Sequence, residues 1–403
     1  GPTDRASGGV ARVSVEATER EVRRYWTPER MREAEPIEPR RVADTGAGAA
    51  GAPAPGRAPR SHAAVNRFEV TDTGAYPARV HGKVFLTFPG EGDFVCSATV
   101  VGSGIGNAVI SAGHCVFDAG FSNRWATNWV FIPGYRDGQA PFGEWVARSL
   151  ATTTRWVEQA DIRFDVGGAV VEPRQGSELE QSVGARGIAF EQRRDQLFRA
   201  FGYPARQPPL EFTGERLFAC DSAYGGDDPS EQPPSPMRIA CDMTEGSSGG
   251  GWVIDDTYVN SVISYGYLLE ANDLYGPYFG PEAAAVYEKL AGAARCFGKP
   301  ATLIGTAATE TLRGTQGPDV ILGLDGDDTI RPGSGGDLVC GGSGADSVLA
   351  GAGGDRLGGQ GEPDTLRGQG GRDTLNGGPD EDLCDGGPGR DRARRCEDKR
   401  HVD

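Results

Sequence analysis

The sequence predicts an all-β chain in two folded parts behind a mostly disordered N-terminal segment. Three observations carry this. Between about 77 and 298, short apolar runs are separated by Gly, Pro and Asp turns. After residue 300 an aspartate returns every ninth position. Before residue 77 there is a Pro- and Gly-rich stretch too polar to pack. A chain of 403 residues is also longer than one ordinary domain.

In the first part, residues 1–76, acidic and basic residues alternate, and a short helix is predicted from Thr27 as N-cap with Pro28 in its first turn. ADTGAGAAGAPAPGRAPR (43–60) reads as a disordered linker, and the part as a propeptide. The opening Gly1-Pro2 has neither Met nor an apolar core. An export signal is therefore expected to have been removed, or replaced by a cloning remnant, before this numbering starts. In the second part, 77–298, KVFLTF (83–88), WVFIP (129–133), GGAVVE (167–172) and YVNSVISYG (258–266) read as strands. One helix is predicted, PEAAAVYEKLAGAAR (281–295), closing that part.

In the third part, 299–403, the register is carried by Asp319, Asp328, Asp337, Asp346, Asp355, Asp364, Asp373, Asp382 and Asp391. Two positions after each stand Ile321, Ile330, Val339, Val348, Leu357, Leu366, Leu375, Cys384 and Ala393. Random Gly-rich low complexity does not hold such a register, so an internal repeat is expected.

Composition narrows the function. Hydrophobic residues make up 37% and Gly accounts for 62 residues, so part of the chain lacks an ordinary core. A net charge of −16 argues against a nucleic-acid partner, which needs clustered Lys and Arg. No apolar run is long enough to span a membrane. The eight cysteines include no CxxC pair, and they read as loop-closing disulfides of an oxidising, extracellular compartment.

Two motifs carry chemistry. Cys96 is followed by Ser111-Ala112-Gly113-His114-Cys115, and further on stands Thr244-Glu245-Gly246-Ser247-Ser248-Gly249-Gly250-Gly251-Trp252. Plain alternatives are a buried structural histidine and a Gly-Ser linker. Against them stand the position of Cys96 and the strand-like Trp252-Val253-Ile254 that follows at once.

Together the motifs resemble the trypsin-like secreted serine peptidases, nearest the bacterial glutamyl-endopeptidase-like branch, over roughly residues 78–290. The resemblance implies a chymotrypsin-like double β-barrel acting as a monomer on protein or peptide substrates. It implies a Cys96–Cys115 disulfide stapling the His114 turn, His114 as general base and Ser248 as nucleophile, with the amides of Gly246 and Ser248 as oxyanion donors. A carboxylate must orient His114, and it should lie before an apolar strand between the two motifs. Asp165 is preferred because Phe164-Asp165-Val166 fits the family pattern; Asp161 is the alternative. Ser264-Tyr265-Gly266 resembles the family's substrate-binding strand, and Asp242 falls where trypsins hold the acid that selects Arg or Lys. Two departures matter. Ser247 replaces the Asp that pairs with a new amino terminus in animal enzymes, so that activation switch is not expected. Val262-Ile263-Ser264-Tyr265 lacks the His that reads acidic side chains, so strict Glu specificity is not expected either. His62, His81 and His401 carry no motif, and their spacing argues against a zinc peptidase.

Gly341-Gly342-Ser343-Gly344-Ala345-Asp346-Ser347-Val348-Leu349 resembles throughout the calcium-binding nonapeptide of the RTX proteins, which form a parallel β-roll. Calcium is the implied cofactor, held by the nine aspartates above. From Gly305 to Asp391 there are 16 acidic and 6 basic residues, a net of −10 that needs cations to fold. Pro332, Glu362 and Asp380 replace turn glycines, and Glu310 replaces the first Asp. Cys296 is paired with Cys340 and Cys384 with Cys396, leaving Cys220 and Cys241 as a close-spaced pair. A non-catalytic calcium-dependent adhesion protein on an inactive peptidase scaffold is the competing function.

Overall fold

The computed structural model describes residues 9–37, 40–41, 65–120, 122–206, 212–267 and 272–402. The expected linker at 43–60 and His62 lie outside them.

Six antiparallel strands close a first barrel in the order Trp145–Thr153, Thr127–Pro133, His81–Phe88, Gly92–Val100, Ala108–Ser111 and Gly167–Val171, the last returning to Trp145–Thr153. Their Val, Ile, Phe and Trp side chains form a buried core that reaches the second sheet at Phe201 and Val253. Closure is incomplete: stretches of Trp145–Thr153 and Gly92–Val100 keep an edge that accepts further strands. A second sheet runs through Asp273–Gly276, Met237–Ala240, Phe218–Asp227, Leu197–Gly202, Gly251–Ile254, Tyr258–Val262 and Gly187–Ala189. The Cys220–Cys241 disulfide clips its hairpin, and Cys96–Cys115 clips the first barrel.

The helix Pro281–Ala291 begins at the N-cap Gly280 and stops at Gly292, where φ is +89°. It packs on the first barrel, although the second precedes it in sequence: Ala283, Val286, Tyr287 and Leu290 join the first barrel's core. The chain thereby crosses back and ties the two barrels together.

The N-terminal region holds more structure than the one helix expected. The strand Val10–Ser14 pairs antiparallel with Trp145–Thr153, from Val10 opposite Thr153 to Ser14 opposite Ser149. Helix Glu19–Tyr25 is capped by Thr18 and Glu21 in a reciprocal capping box. Helix Pro28–Glu33 starts at Thr27, as expected. Val22 and Trp26 are buried in the first barrel's core, and Trp26 Nε1 donates to Asn128 O at 2.6 Å. Glu35–Pro36 then runs parallel to Phe94–Val95, and Arg40–Arg41 parallel to Gly266–Tyr267. Asn66–Glu69 pairs with Phe218–Asp227, ahead of the boundary expected near 77.

The C-terminal array is a parallel β-roll of 18 residues per turn, two nonapeptides each. On one side Ile321, Val339, Leu357, Leu375 and Ala393 stack in register; on the other, Leu312, Ile330, Val348, Leu366 and Cys384. All of these except the partly buried Ala393 are fully buried. The roll is continuous with the second barrel: Leu303–Ile304 pairs antiparallel with Gly187–Ala189 and parallel with Val320–Asp325. Glu180, from the helix Leu179–Val183, adds a bridge by accepting from Ser103 N at 3.3 Å and Ala307 N at 3.0 Å. The Cys296–Cys340 disulfide ties the connection to the roll, and Cys384–Cys396 closes its far end.

Candidate active site and cation sites

His114 sits in the one-turn helix Gly113–Cys115, directly after the strand Ala108–Ser111. The chain can turn there because Gly113 has no side chain: a Cβ on it would lie 2.8 Å from Thr152 Oγ1 and 2.9 Å from Asp165 Oδ1. Asp165 follows the short helix Ile162–Phe164 and precedes the strand Gly167–Val171. Its carboxylate grips His114 twice. Oδ2 lies 2.7 Å from His114 Nδ1, and Oδ1 accepts the His114 backbone N–H at 2.7 Å. This places the proton of a neutral imidazole on Nδ1 and leaves Nε2 as acceptor. Ser264 Oγ adds a third bond to Asp165 Oδ2 at 2.5 Å. Asp165 is fully buried, so three donors are what its charge needs. Asp161 instead caps the short helix and binds Arg163, at 2.8 and 2.6 Å.

The loop around Ser248 is wedged between the barrels. Ser97 N–H donates to Ser248 O at 2.7 Å, and Ser97 Oγ to Gly246 O at 2.9 Å. Gly246 has φ +94°, and a Cβ there would lie 2.7 Å from Tyr203 O. Gly249 has φ +81°, and a Cβ there would meet Ser111 Oγ at 2.0 Å, so the loop lies directly against the His114 turn. Ser247 points inward, its Oγ donating to Thr244 O at 2.6 Å. Ser247, Gly249 and Gly250 spend their amides on Thr244 O, Ile263 O and Ser247 O. Among the described residues no backbone carbonyl accepts from Gly246 or Ser248. Ser248 Oγ and His114 Nε2 are both buried without a hydrogen-bond partner.

The sequence also singled out Tyr265, Gly266 and Asp242. Tyr265 stacks on Tyr275 with ring centroids 5.0 Å apart, and its hydroxyl donates to the buried Asp228, which also accepts from Tyr267 at 2.7 Å. Gly266 pairs with Arg40. Asp242 is bound by Arg67 Nη1 at 2.5 Å, while its Oδ1 is buried and unpartnered. Arg67 and Asp228 were not found by sequence reasoning. Both stand outside any motif, in a loop or an edge strand, and only tertiary pairing brings them to the site.

In the roll, the nine aspartates form two ladders. The amide of Asp319 donates to Asp337 Oδ1 at 2.8 Å, and Asp337, Asp355 and Asp373 repeat this toward Asp355, Asp373 and Asp391. Asp328, Asp346 and Asp364 bind Asp346, Asp364 and Asp382 the same way. From Asp328 to Asp391 all eight leave Oδ2 buried with no partner. Asp319 differs, because Thr315 donates to its Oδ2 from N at 2.7 Å and Oγ1 at 3.0 Å. Burial, then neighbouring carboxylates, push Asp328 up to about 8 and Asp364 to about 7. Asp337, Asp346 and Asp373 rise to about 6, also mainly through burial. Eight repeated, desolvated oxygens in an acidic stack fit a hard divalent cation with several oxygen ligands. The substituted turns are not gaps: Glu362 Oε2 accepts Gly344 N at 2.9 Å, and Asp380 Oδ2 accepts Glu362 N at 3.0 Å.

Comparison with known proteins agrees with both halves. Residues 304–339, 341–357 and 358–393 match the RTX calcium-binding nonapeptide repeat. No curated protein matches the chain. Among solved structures, the chain is similar to the protease Anisep from Arthrobacter nicotinovorans, with 36% identity over 53% of this chain and 95% of that one, at a TM-score of 0.50. It is also similar to AL20, a thermostable serine protease from an extremophilic microorganism, with 39% identity over 53% and 97%, at 0.49. A Glu endopeptidase in complex with MPD shares 19% over 55% and 94%, at 0.44.

Proposed function

We propose, for a chain that belongs to the chymotrypsin-fold serine peptidases and ends in calcium-binding RTX repeats, that it is a secreted endopeptidase working through His114, Asp165 and Ser248. The observation that carries this reading is the double grip of Asp165 on His114 beside a nucleophile loop with two uncommitted amides. His114 Nε2 takes the Ser248 hydroxyl proton as Oγ attacks the scissile carbonyl. The amides of Gly246 and Ser248 receive the oxyanion, and Asp165 stabilises the imidazolium. His114 then gives its proton to the departing amine, leaving an acyl-enzyme. Water repeats the sequence and frees the second product. Tyr265 and Gly266 would line the substrate chain. Asp242 would sit under the residue preceding the cut, its charge offset by Arg67.

Calcium, bound by Asp328 to Asp391, would supply the positive charge that the stacked carboxylates lack. Four disulfides and the calcium-dependent roll support an extracellular site of action. We read residues 1 to about 64 as a propeptide cut in the linker. Amino-terminal sequencing of the active form should find a start between 43 and 65, since Asn66–Glu69 is built into the sheet. A start far inside 77–298 contradicts this. The test of the activity itself is covalent labelling by an organofluorophosphonate at Ser248, coupled to peptide hydrolysis. A correctly folded, calcium-loaded, linker-cut protein that does neither is the adhesion protein instead.

A further inference from the structure

The strand Gly266–Tyr267 has a single ladder partner among the described residues, the chain's own Arg40–Arg41. This edge starts two residues after Ser264, whose hydroxyl binds Asp165. It is held rigid from behind, because the hydroxyls of Tyr265 and Tyr267 both end on buried Asp228, and Tyr275 stacks on Tyr265. A stiff strand edge beside a nucleophile is a docking surface for an extended peptide. Here that surface is occupied.

The occupant is well anchored. Upstream, Ile37 N–H donates to Val95 O at 3.3 Å on the first barrel, one residue before Cys96. Arg40 is already paired with Gly266, so the described residues go from a strand of the first barrel at Ile37 to the Gly266–Tyr267 edge at Arg40. Val10–Ser14, Val22 and Trp26 fix the preceding residues to the first barrel, and Arg23 and Arg30 pair with Glu144 and Asp93. A two-residue ladder is weak alone, but anchoring raises its effective concentration.

Direction is the second clue. Arg40–Arg41 runs parallel to Gly266–Tyr267, hence away from Ser264 and the nucleophile. A peptide whose acyl half lay on this edge would run the other way, carrying its carbonyl toward Ser248. The segment therefore covers the edge in a sense that does not present a peptide bond for cleavage.

We infer that residues 9–37 and 40–41 are a built-in antagonist of this site, with Val10–Glu33 as its anchor and Arg40–Arg41 as a reversed strap on the peptide-binding edge. This rests on the peptidase reading above. Prolines have no N–H, so the full-length double variant Arg40→Pro/Arg41→Pro removes the strap's donors and spares the anchor. Binding of a fluorescent, extended, blocked pentapeptide is measured beside organofluorophosphonate labelling of Ser248 and amide exchange at Gly266–Tyr267. The variant should bind the pentapeptide at least ten-fold more tightly, lose protection at Gly266–Tyr267 and keep its thermal midpoint. A second form, with a specific protease site placed in 43–60 and then cut, should keep residues 9–37 bound in size-exclusion chromatography. Equal pentapeptide affinity in the intact chain and the double-proline variant overturns the strap, whatever the labelling shows. Tighter binding without labelling of any form keeps the strap and removes the peptidase reading.

Discussion

Ser247 and Ser248 are adjacent and chemically identical, yet their surroundings differ. Ser247 Oγ is spent on Thr244 O, whereas Ser248 Oγ is uncommitted. Ser248→Ala should abolish hydrolysis, a loss on the order of 10⁶ for a triad nucleophile, without moving the thermal midpoint. Ser247→Ala should keep most activity and lose about 1 kcal/mol of stability with its hydrogen bond. Activity surviving in the first and lost in the second reverses the assignment. Ser264→Ala removes one of three donors on Asp165, and kcat should fall about ten-fold, a charge-assisted bond of roughly 1.5 kcal/mol. Arg67→Ala leaves Asp242 without its counter-ion. On matched peptides, cleavage after Lys or Arg should gain at least ten-fold over cleavage after a neutral residue, and an unchanged ratio takes Asp242 out of specificity. Asp165 and His114, both singled out by their motifs, are hydrogen-bonded to each other. They were legible because a turn of small residues and a strand start leave a local imprint. Arg67 left none: a lone arginine 175 positions from its partner acquires meaning only through strand pairing.

At the scale of elements, the nonapeptide register was the clearest signal in the chain, because each turn repeats one backbone shape and one buried side chain. What it could not tell was which aspartate oxygens remain free, or that Thr315 occupies those of Asp319. The helix Glu19–Tyr25 had a local signature too, Thr18 followed three residues later by Glu21, but so polar a sequence hid its burial of Val22. The aspartate ladder makes a pH prediction of definite sign. In an unfolded chain these carboxyls titrate near 4, while in the cation-free roll five are raised to about 6–8. Their contribution to stability is then complete below about pH 4 and lost as pH climbs to about 8. Protection of the amides over 320–394 in chelator, taken relative to the intrinsic exchange rate at each pH, should therefore fall from pH 5 to pH 8. Millimolar calcium should invert that trend, since the ion displaces the same protons; magnesium should do so poorly. Equal protection with and without calcium at pH 8 gives the register some other purpose.

Taken whole, the molecule joins peptidase and roll through one sheet, so the two parts do not melt as strangers. Removing calcium should leave both barrels folded, because the buried cluster they share lies mostly apart from the roll and each carries a disulfide, although a second cluster under the second sheet continues into the roll. The roll should come apart unevenly: exchange in chelator should stay slow at Leu303–Ile304, which rests on Gly187–Ala189, and be fast by Leu383–Asp385. Uniform loss would show that the seam carries no stability. That seam gives the array a polarity. A stack of identical turns can begin ordering at any rung, and beginning is the costly step. Here the first rung is laid on a strand that the barrel has already set, and the last is closed by Cys384–Cys396. Growth then proceeds like a zip pulled from a stitched end, one 18-residue tooth pair at a time, driven by whatever calcium the chain meets. Such a zip can be lengthened or shortened by whole teeth without retailoring the enzyme it is sewn to.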